Sequence, residues 1–298
     1  MAIAVAKRPS SIFRNLSAKI AALPMILTVL VVFVGGTLWT VVHSFTDSRL
    51  LPSTNFVGFS QYERLFDTPR WAVSITNLAI YGSLSLIFSF VVGFLLATLM
   101  DQKIRFENTF RTIYLYPFAL SFIVTGLVWQ WILDPALGLP KALQDLGFEG
   151  ANFALLGNPD TVLYALVIAG LWQGTGFVMV LMLAGLRGID TEIWKASRVD
   201  GIPTWKTYVF IIVPMMKGVF ITTLVIVASG IVRLYDLVVA MTQGGPGFAS
   251  EVPAKYVYDF MFQRANLAQG LAASTVMLLT VLIILVPWAL FVFREKKQ

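Results

Sequence analysis

The sequence contains no cysteine and a single histidine, His43. The first absence excludes disulfides, thiol nucleophiles and Cys-based metal sites. The second excludes a paired-histidine metal site on a helix. Charge is also scarce: 13% of the 298 residues are Asp, Glu, Lys or Arg, against about 25% in soluble domains. That is too little polar surface to solvate a globule of this size. No Gly-x-x-x-x-Gly-Lys-Ser/Thr stretch occurs, so the chain cannot cradle nucleotide phosphates in that way. The net charge is +6, but no basic stripe with interleaved aromatics is present, and no nucleic-acid partner is expected.

What the chain has in excess is apolar surface: 57% hydrophobic residues and a mean hydropathy of +0.78. Crossing a hydrocarbon core of about 30 Å takes about 20 apolar residues in a helix. Six stretches qualify: 20–42, 74–100, 112–133, 161–186, 218–241 and 270–293. All but the fifth lack Asp, Glu, Lys and Arg. The expected fold class is all-α, a polytopic membrane protein of about six transmembrane helices. The first stretch is too long for a signal peptide and no small-x-small cleavage site follows it, so it reads as a retained helix.

Basic residues orient the bundle. They gather in the N-terminal tail (Lys7, Arg8, Arg14, Lys19), the 101–111 loop (Lys103, Arg105, Arg111), the 187–206 loop (Arg187, Lys195, Arg198, Lys206) and the C-terminus (Arg294, Lys296, Lys297). The opposite connections carry half as many: Arg49, Arg64, Arg70, Lys141, Arg233, Lys255 and Arg264. The positive-inside rule then puts both termini in the cytoplasm. Trp39, Trp71, Trp129, Trp131, Tyr256 and Tyr258 cluster toward the outer ends, as interfacial anchors do. Pro24, Pro117 and Pro287 fall inside spans, where a kink is tolerable if neighbouring helices satisfy the freed carbonyls. Gly170 and Gly174 share a helix face. They permit either close packing of a neighbouring helix or room for a ligand beside Gln173. In the fifth span Arg233 and Asp236 lie on adjacent turns near the outer boundary, as a mutually neutralising pair or as an outer gate or contact.

The 188–206 loop is not a simple connector. Asp190 or Thr191 can cap a helix, Glu192 falls in its first turn, Gly201 suits the position after its last turn, and Pro203 follows. Ile193, Ala196 and Val199 recur at spacing three and are expected to share one face. The segment is a short amphipathic helix between the fourth and fifth spans. It either lies on the inner leaflet or docks a soluble partner through Trp194, Lys195 and Arg198, residue types enriched at contact points.

Residues 195–214 resemble the EAA loop of binding-protein-dependent ABC importer permeases, with Ala196, Asp200, Gly201 and Pro214 at matching positions. Lys195 stands where that family usually has Glu, Ser197 where it has Ala, and Gly218 where a second Pro is common. Tyr235-Asp236 followed by Thr242-Gln243-Gly244-Gly245-Pro246, and then Lys255 to Tyr258, resembles a segment of the maltose-type carbohydrate permeases, the first of their two membrane subunits. The resemblance implies a permease domain over 20–293, with cytoplasmic tails at 1–19 and 294–298 and a coupling-helix loop at 188–206, in a bacterial inner membrane. It implies a second homologous permease, a cytoplasmic ATPase dimer that holds ATP and Mg, and a periplasmic sugar-binding protein that uses the 134–160 and 242–269 loops as a platform. The chain itself would carry no cofactor and no catalytic residue. Trp194, Lys195, Ala196, Arg198, Asp200 and Gly201 would couple to the ATPase. Arg233, Tyr235 and Asp236 would form an outer gate or binding-protein contact.

A sugar path needs hydroxyl-matching polar groups beside an aromatic or small-residue wall. Ser121, Thr125, Gln173, Gly174 and Ser229 are the candidates near mid-membrane. A membrane-embedded enzyme would need a nucleophile–base pair or metal ligands within the spans, and none is present. The alternative is a gradient-driven secondary transporter, which wants an intramembrane carboxylate; Asp236 is the one such residue in the six stretches.

Overall fold

A computed structural model describes residues 16–102, 104–148, 150 and 153–295, with side chains from 20 to 290. The basic tail residues Lys7, Arg8, Arg14, Lys296 and Lys297, and Lys103, lie outside the described residues, as do the side chains of Lys19 and Arg294. The described chain is helical apart from loops and one isolated bridge, Thr46 to Phe56.

The first span runs through α1 (Leu16–Thr28), a π-helical stretch at Val29–Gly35, and α2 (Gly36–His43). None of its most apolar window is buried. His43 sits at its end, with the ring stacked on Trp39 and Nδ1 3.0 Å from the Trp39 carbonyl oxygen. After the short α3 (Ser60–Asp67), α4 (Pro69–Met100) crosses the full thickness of the bundle. It packs most extensively on α8 (Val162–Arg187), the helix with the largest buried share among the spans. Between them come α5 (Glu107–Ala119), α6 (Phe122–Ile132) and α7 (Leu139–Asp145). Beyond α8 lies the short α9 (Thr191–Val199). Next, α10 (Thr204–Lys206), a π-helical stretch at Thr207–Ile212 and α11 (Val213–Met215) lead into α12 (Lys217–Val232) and α13 (Asp236–Thr242). The last elements are α14 (Pro253–Tyr258), a π-helical stretch at Asp259–Gln263, and α15 (Leu267–Glu295).

Four of the six expected spans are continuous helices of suitable length, and the other two are bent pairs. The third is broken, not kinked. α5 and α6 meet at 98°, because the chain becomes extended at Leu120 and Ser121 and the Ser121 side chain caps α6 by accepting from the Val124 N–H at 3.3 Å. Pro117 is accommodated inside α5, and the break falls three residues later. The fifth span also differs from the expected 218–241. α12 ends at Val232, and the second limb of the pair is 204–215, at 71° to it.

Two apolar cores lie at opposite ends of α8. At its start, Leu163, Leu166 and Ala169 pack with Leu133, Leu237, Val238 and Met241. At its end, Val178, Met182 and Leu186 pack with Ala97, Met100, Ile212 and Met216. A third cluster joins Leu65, Trp71, Tyr256, Phe260 and Ala272. Trp71 and Tyr256 are therefore core residues and not interfacial anchors: they are 2% and 0% exposed and meet edge-on at 5.1 Å. Trp39, Trp131 and Tyr258 remain exposed, while Trp129 is half-buried.

Small residues do admit close approach on α8. A Cβ on Gly170 would overlap the Tyr81 hydroxyl, and one on Gly176 would overlap the Tyr114 carbonyl oxygen. Gly174, expected to share the packed face, meets nothing within 4 Å.

Candidate functional site

α9 is nine residues long, too short to persist alone in water. Local chemistry supplies what length does not. Asp190 caps its start, its carboxylate accepting from the Glu192 N–H at 3.0 Å. Its end is a Schellman stop, in which Gly201 N–H donates to the Arg198 carbonyl at 3.2 Å and Ile202 N–H to the Ser197 carbonyl at 3.0 Å. Gly201 has φ +65°, which explains the glycine there.

The expected inner face of α9 is corrected by its packing. Ile193 packs against the core at the end of α8, but Ala196 is exposed and Val199 is 86% exposed. A stripe at spacing three drifts by about 60° per step on a helix of 3.6 residues per turn, so its third member turns away. The face that stays in contact is Ile193, Trp194 and Ser197. Trp194 is half-buried, edge-on to Tyr208 at 5.2 Å. Lys195, Ala196, Arg198, Val199, Asp200 and Gly201 face outward together. Lys195 pairs with Glu192 at 2.7 Å in an exposed contact.

At the other end of the bundle a cleft of about 820 Å³ opens between α6 and α13. Gln130, Asp134, Tyr235, Asp236, Thr242 and Gln243 supply its polar lining. Two of the expected outer residues, Tyr235 and Asp236, line it, while Arg233 does not. Arg233 ends α12 and donates from Nε to the Ser229 carbonyl at 3.2 Å. Asp236 begins the next helix, so the expected adjacent-turn relation is lost to the break at 233–235, and no ion pair joins the two among the described residues.

None of the five mid-membrane candidates lines this cleft. Gln173 is 2% exposed; its Nε2 donates to the Leu120 carbonyl at 2.7 Å, holding the free end of α5 at the elbow. Ser121 is the cap of the elbow's second limb, and Thr125 lies one turn further, fully buried. Gln173 Oε1, Thr125 Oγ1 and Ser229 Oγ have no hydrogen-bond partner among the described residues. Gly174 opens to free space.

Sequence reading missed a buried charge network. Arg70 donates from Nε to Glu251 at 2.6 Å and pairs through Nη2 with both Glu251 and Asp259, and Lys255 pairs with Asp259 at 2.5 Å. The four charges cancel, and their side chains are at most 10% exposed. The Arg70 guanidinium also lies 4.5 Å from the Phe248 ring centroid. Asn77 Nδ2 reaches the Glu251 carbonyl at 2.9 Å. Burial pushes the Tyr256 phenol above its usual range, and its oxygen accepts from Gln269 at 2.9 Å. The network fastens the segment that follows Thr242–Pro246 to the first turn of α4. The one sequence signal was the i, i+4 spacing of Lys255 and Asp259; Arg70 is 181 residues from Glu251.

The family model described as "Binding-protein-dependent transport system inner membrane component" matches residues 1–297. A "probable ABC transporter permease protein" of Pyrococcus horikoshii is 34% identical over 265 residues, covering 88% of this chain and 91% of its own. The xylose/arabinose import permease protein of Haloferax volcanii is 30% identical over 284 residues, 94% of this chain and 88% of its own. Among solved structures, a bacterial ABC transporter involved in the import of the polysaccharide alginate superposes with a TM-score of 0.82 at 20% identity, over 94% of this chain and 96% of that one. At that identity the likeness speaks to the fold alone. The chain belongs to the family of binding-protein-dependent transport system inner membrane components.

Proposed function

We propose that this chain is one of two permease subunits of an ATP-driven sugar importer, and that α9 is its docking helix for a separate cytoplasmic ATPase dimer. The observation that carries the reading is the outer face of α9. Val199, a large apolar residue, stands 86% exposed between Arg198 and Asp200, on a helix capped at both ends and anchored by Ile193 and Trp194. An apolar residue held out in water among charges, on a rigid support, fits a partner surface. Both termini and α9 lie on the cytoplasmic side in this reading, in keeping with the positive-inside count.

Relatives named for sugar uptake support the substrate class: trehalose/maltose in Thermococcus litoralis, xylose/arabinose in Haloferax volcanii and glucose in Saccharolobus solfataricus. A solved alginate transporter was captured with its substrate-bound periplasmic protein, which supports a delivery protein here. That protein would dock beside Arg233, Tyr235 and Asp236 at the outer cleft. Ser121, Thr125, Gln173, Gly174 and Ser229 would border the path within the membrane, where orphaned polar atoms of Thr125, Gln173 and Ser229 suit hydroxyl groups. ATP and substrate would each bind one of two membrane-domain states better than the other, which is the condition for coupling. A gradient-driven transporter has no support in the family.

The test is co-purification of the chain from native membranes in mild detergent. A second permease and an ATPase should come with it. Recovery of this chain alone, or only as a self-oligomer, would refute the reading.

A further inference from the structure

We propose that Arg187 is the residue that makes the α5–α6 elbow travel with the docking helix. This rests on the reading of α9 given above.

Arg187 is the last residue of α8, four positions before α9 begins. Its Nη2 donates to Glu107 Oε1 at 2.7 Å and lies 3.4 Å from the Met100 carbonyl oxygen, and its Nε is 3.7 Å from Asp101 Oδ1. One guanidinium therefore bridges the end of α8, the end of α4 and the first residue of α5. Arg111, one turn along α5, pairs with the same Glu107 oxygen at 2.9 Å and holds that carboxylate in place.

Further along, α5 is fastened to α8 at two more levels. Gly176 admits the Tyr114 carbonyl where any Cβ would overlap it, beside Phe118 stacked on Phe177 at 4.6 Å. Gln173 then holds Leu120 at the elbow. Beyond the elbow, α6 forms one wall of the outer cleft. A displacement of α9 reaches Leu186 and Ile189 through the core at the end of α8. With Arg187 in place, α5 follows as part of the same body, and α6 swings about the 98° bend. The contacts higher up are a glycine notch, one ring stack and one hydrogen bond from an amide side chain. The Arg187 bridge is the one that anchors the end of α5 nearest α9.

The pairs are partly exposed, with side-chain exposures of 41% for Arg187, 29% for Glu107 and 23% for Asp101. Contacts of this kind bias an equilibrium by at most about a factor of five. Arginine suits the position because one planar fork reaches several acceptors at once.

The experiment uses the purified membrane complex with its ATPase. This chain has no cysteine of its own, so it can carry paired spin labels at Leu50→Cys and Leu137→Cys. Leu137 follows α6 and is 90% exposed. Leu50 is 77% exposed and adjoins residues 48–49, which are hydrogen-bonded to the start of α15, giving a fixed reference. Pulsed-EPR distances are recorded without nucleotide and with Mg and a non-hydrolysable ATP analogue, and bound ATPase is quantified in the same samples. The labelled chain, otherwise unsubstituted, should show a nucleotide-dependent shift. Arg187→Gln should reduce the shifted population about two- to fivefold with ATPase still bound, and Arg187→Lys, which keeps the charge but not the fork, should recover part of it. A shift unchanged in Arg187→Gln, or absent before that substitution is made while ATPase is bound, overturns the proposal and leaves the docking reading standing. No ATPase bound to the complex before that substitution is made removes both.

Discussion

Replacing Gly201 isolates what α9 contributes, because its cost can be worked out from backbone geometry alone. Gly201 sits at φ +65°, and a Cβ built there meets nothing within 4 Å. No packing penalty arises, so the whole cost is that of holding an L-residue in the left-handed region, about 1–2 kcal/mol. Asparagine visits that region readily and should cost least, alanine should lie in the middle, and the β-branched valine should cost most. A cost of 1–2 kcal/mol is a factor of about 5–30 in an equilibrium. When the chain declines the left-handed turn, the bonds from Gly201 and Ile202 back to Arg198 and Ser197 are lost. The last turn of α9, which carries Arg198 and Val199, then frays. The spans should insert normally, since Ile193 and Trp194 still anchor the first turn in the core. The assay is a titration of the ATPase on nanodisc-reconstituted membrane complex, read as binding affinity. The expected order of affinity is Gly ≥ Asn > Ala > Val, with Val weaker by about 5–30-fold. Valine binding as well as glycine would refute the argument. So would asparagine failing as badly as valine, since the defect would then not come from φ.

Other perturbations probe other parts of the bundle. Val199→Glu should leave the thermal unfolding midpoint in detergent unchanged, because the residue is 86% exposed, yet should weaken ATPase binding; equal binding would count against the outer face of α9 as the contact. Gly176→Ala should destabilise by about 1–3 kcal/mol, because the added methyl meets the Tyr114 backbone carbonyl, which cannot move aside. Gly174→Ala, with open space around it, should be neutral, and a reversed order in thermal stability would contradict the packing described. Arg70→Met should cost about 3–5 kcal/mol, because it leaves Glu251 and Asp259 buried with Lys255 alone to offset them. An unfolding midpoint equal to that of the unsubstituted protein would show that the network is dispensable.

Much of this architecture was legible in the sequence, for a physical reason. A lipid-facing helix must be apolar along about 20 residues, and a stop needs a residue that accepts positive φ, so spans, caps and Gly201 leave marks at fixed spacing. Breaks inside spans leave weaker marks. Pro117 drew attention to the third span, but the chain turns at Leu120 and Ser121, where a serine cap and a glutamine from another helix replace the lost helical bonds. Nothing local at Leu120 announces that. In the fifth span the hydropathy runs on through Arg233 and Asp236, and continuity of composition concealed a break in the helix.

The buried network shows the same limit from the side of charge. Arg70, Glu251, Lys255 and Asp259 count as loop charges in any tally by position, and a positive-inside count assigns the two basic ones to the outer side. That count carries no information on whether a charge faces water or another charge. Here the spacing of Lys255 and Asp259 closes one pair on a single helix face, but Arg70 is delivered by α4, with no local pattern to signal it. The desolvation cost of an unpaired charge at such a site is several kcal/mol, enough to require that all four be buried together or none. Of the 13% of residues that carry charge, a few join distant elements: Arg70 with Glu251 and Asp259 at one end of the bundle, and Arg187 with Glu107 beside α9. Both arginines bridge helices where the bundle's ends meet its loops. Under the proposed function, delivery-protein docking and ATPase docking would each press on one of those ends, and the ion pairs would be where force applied to a loop first reaches a span.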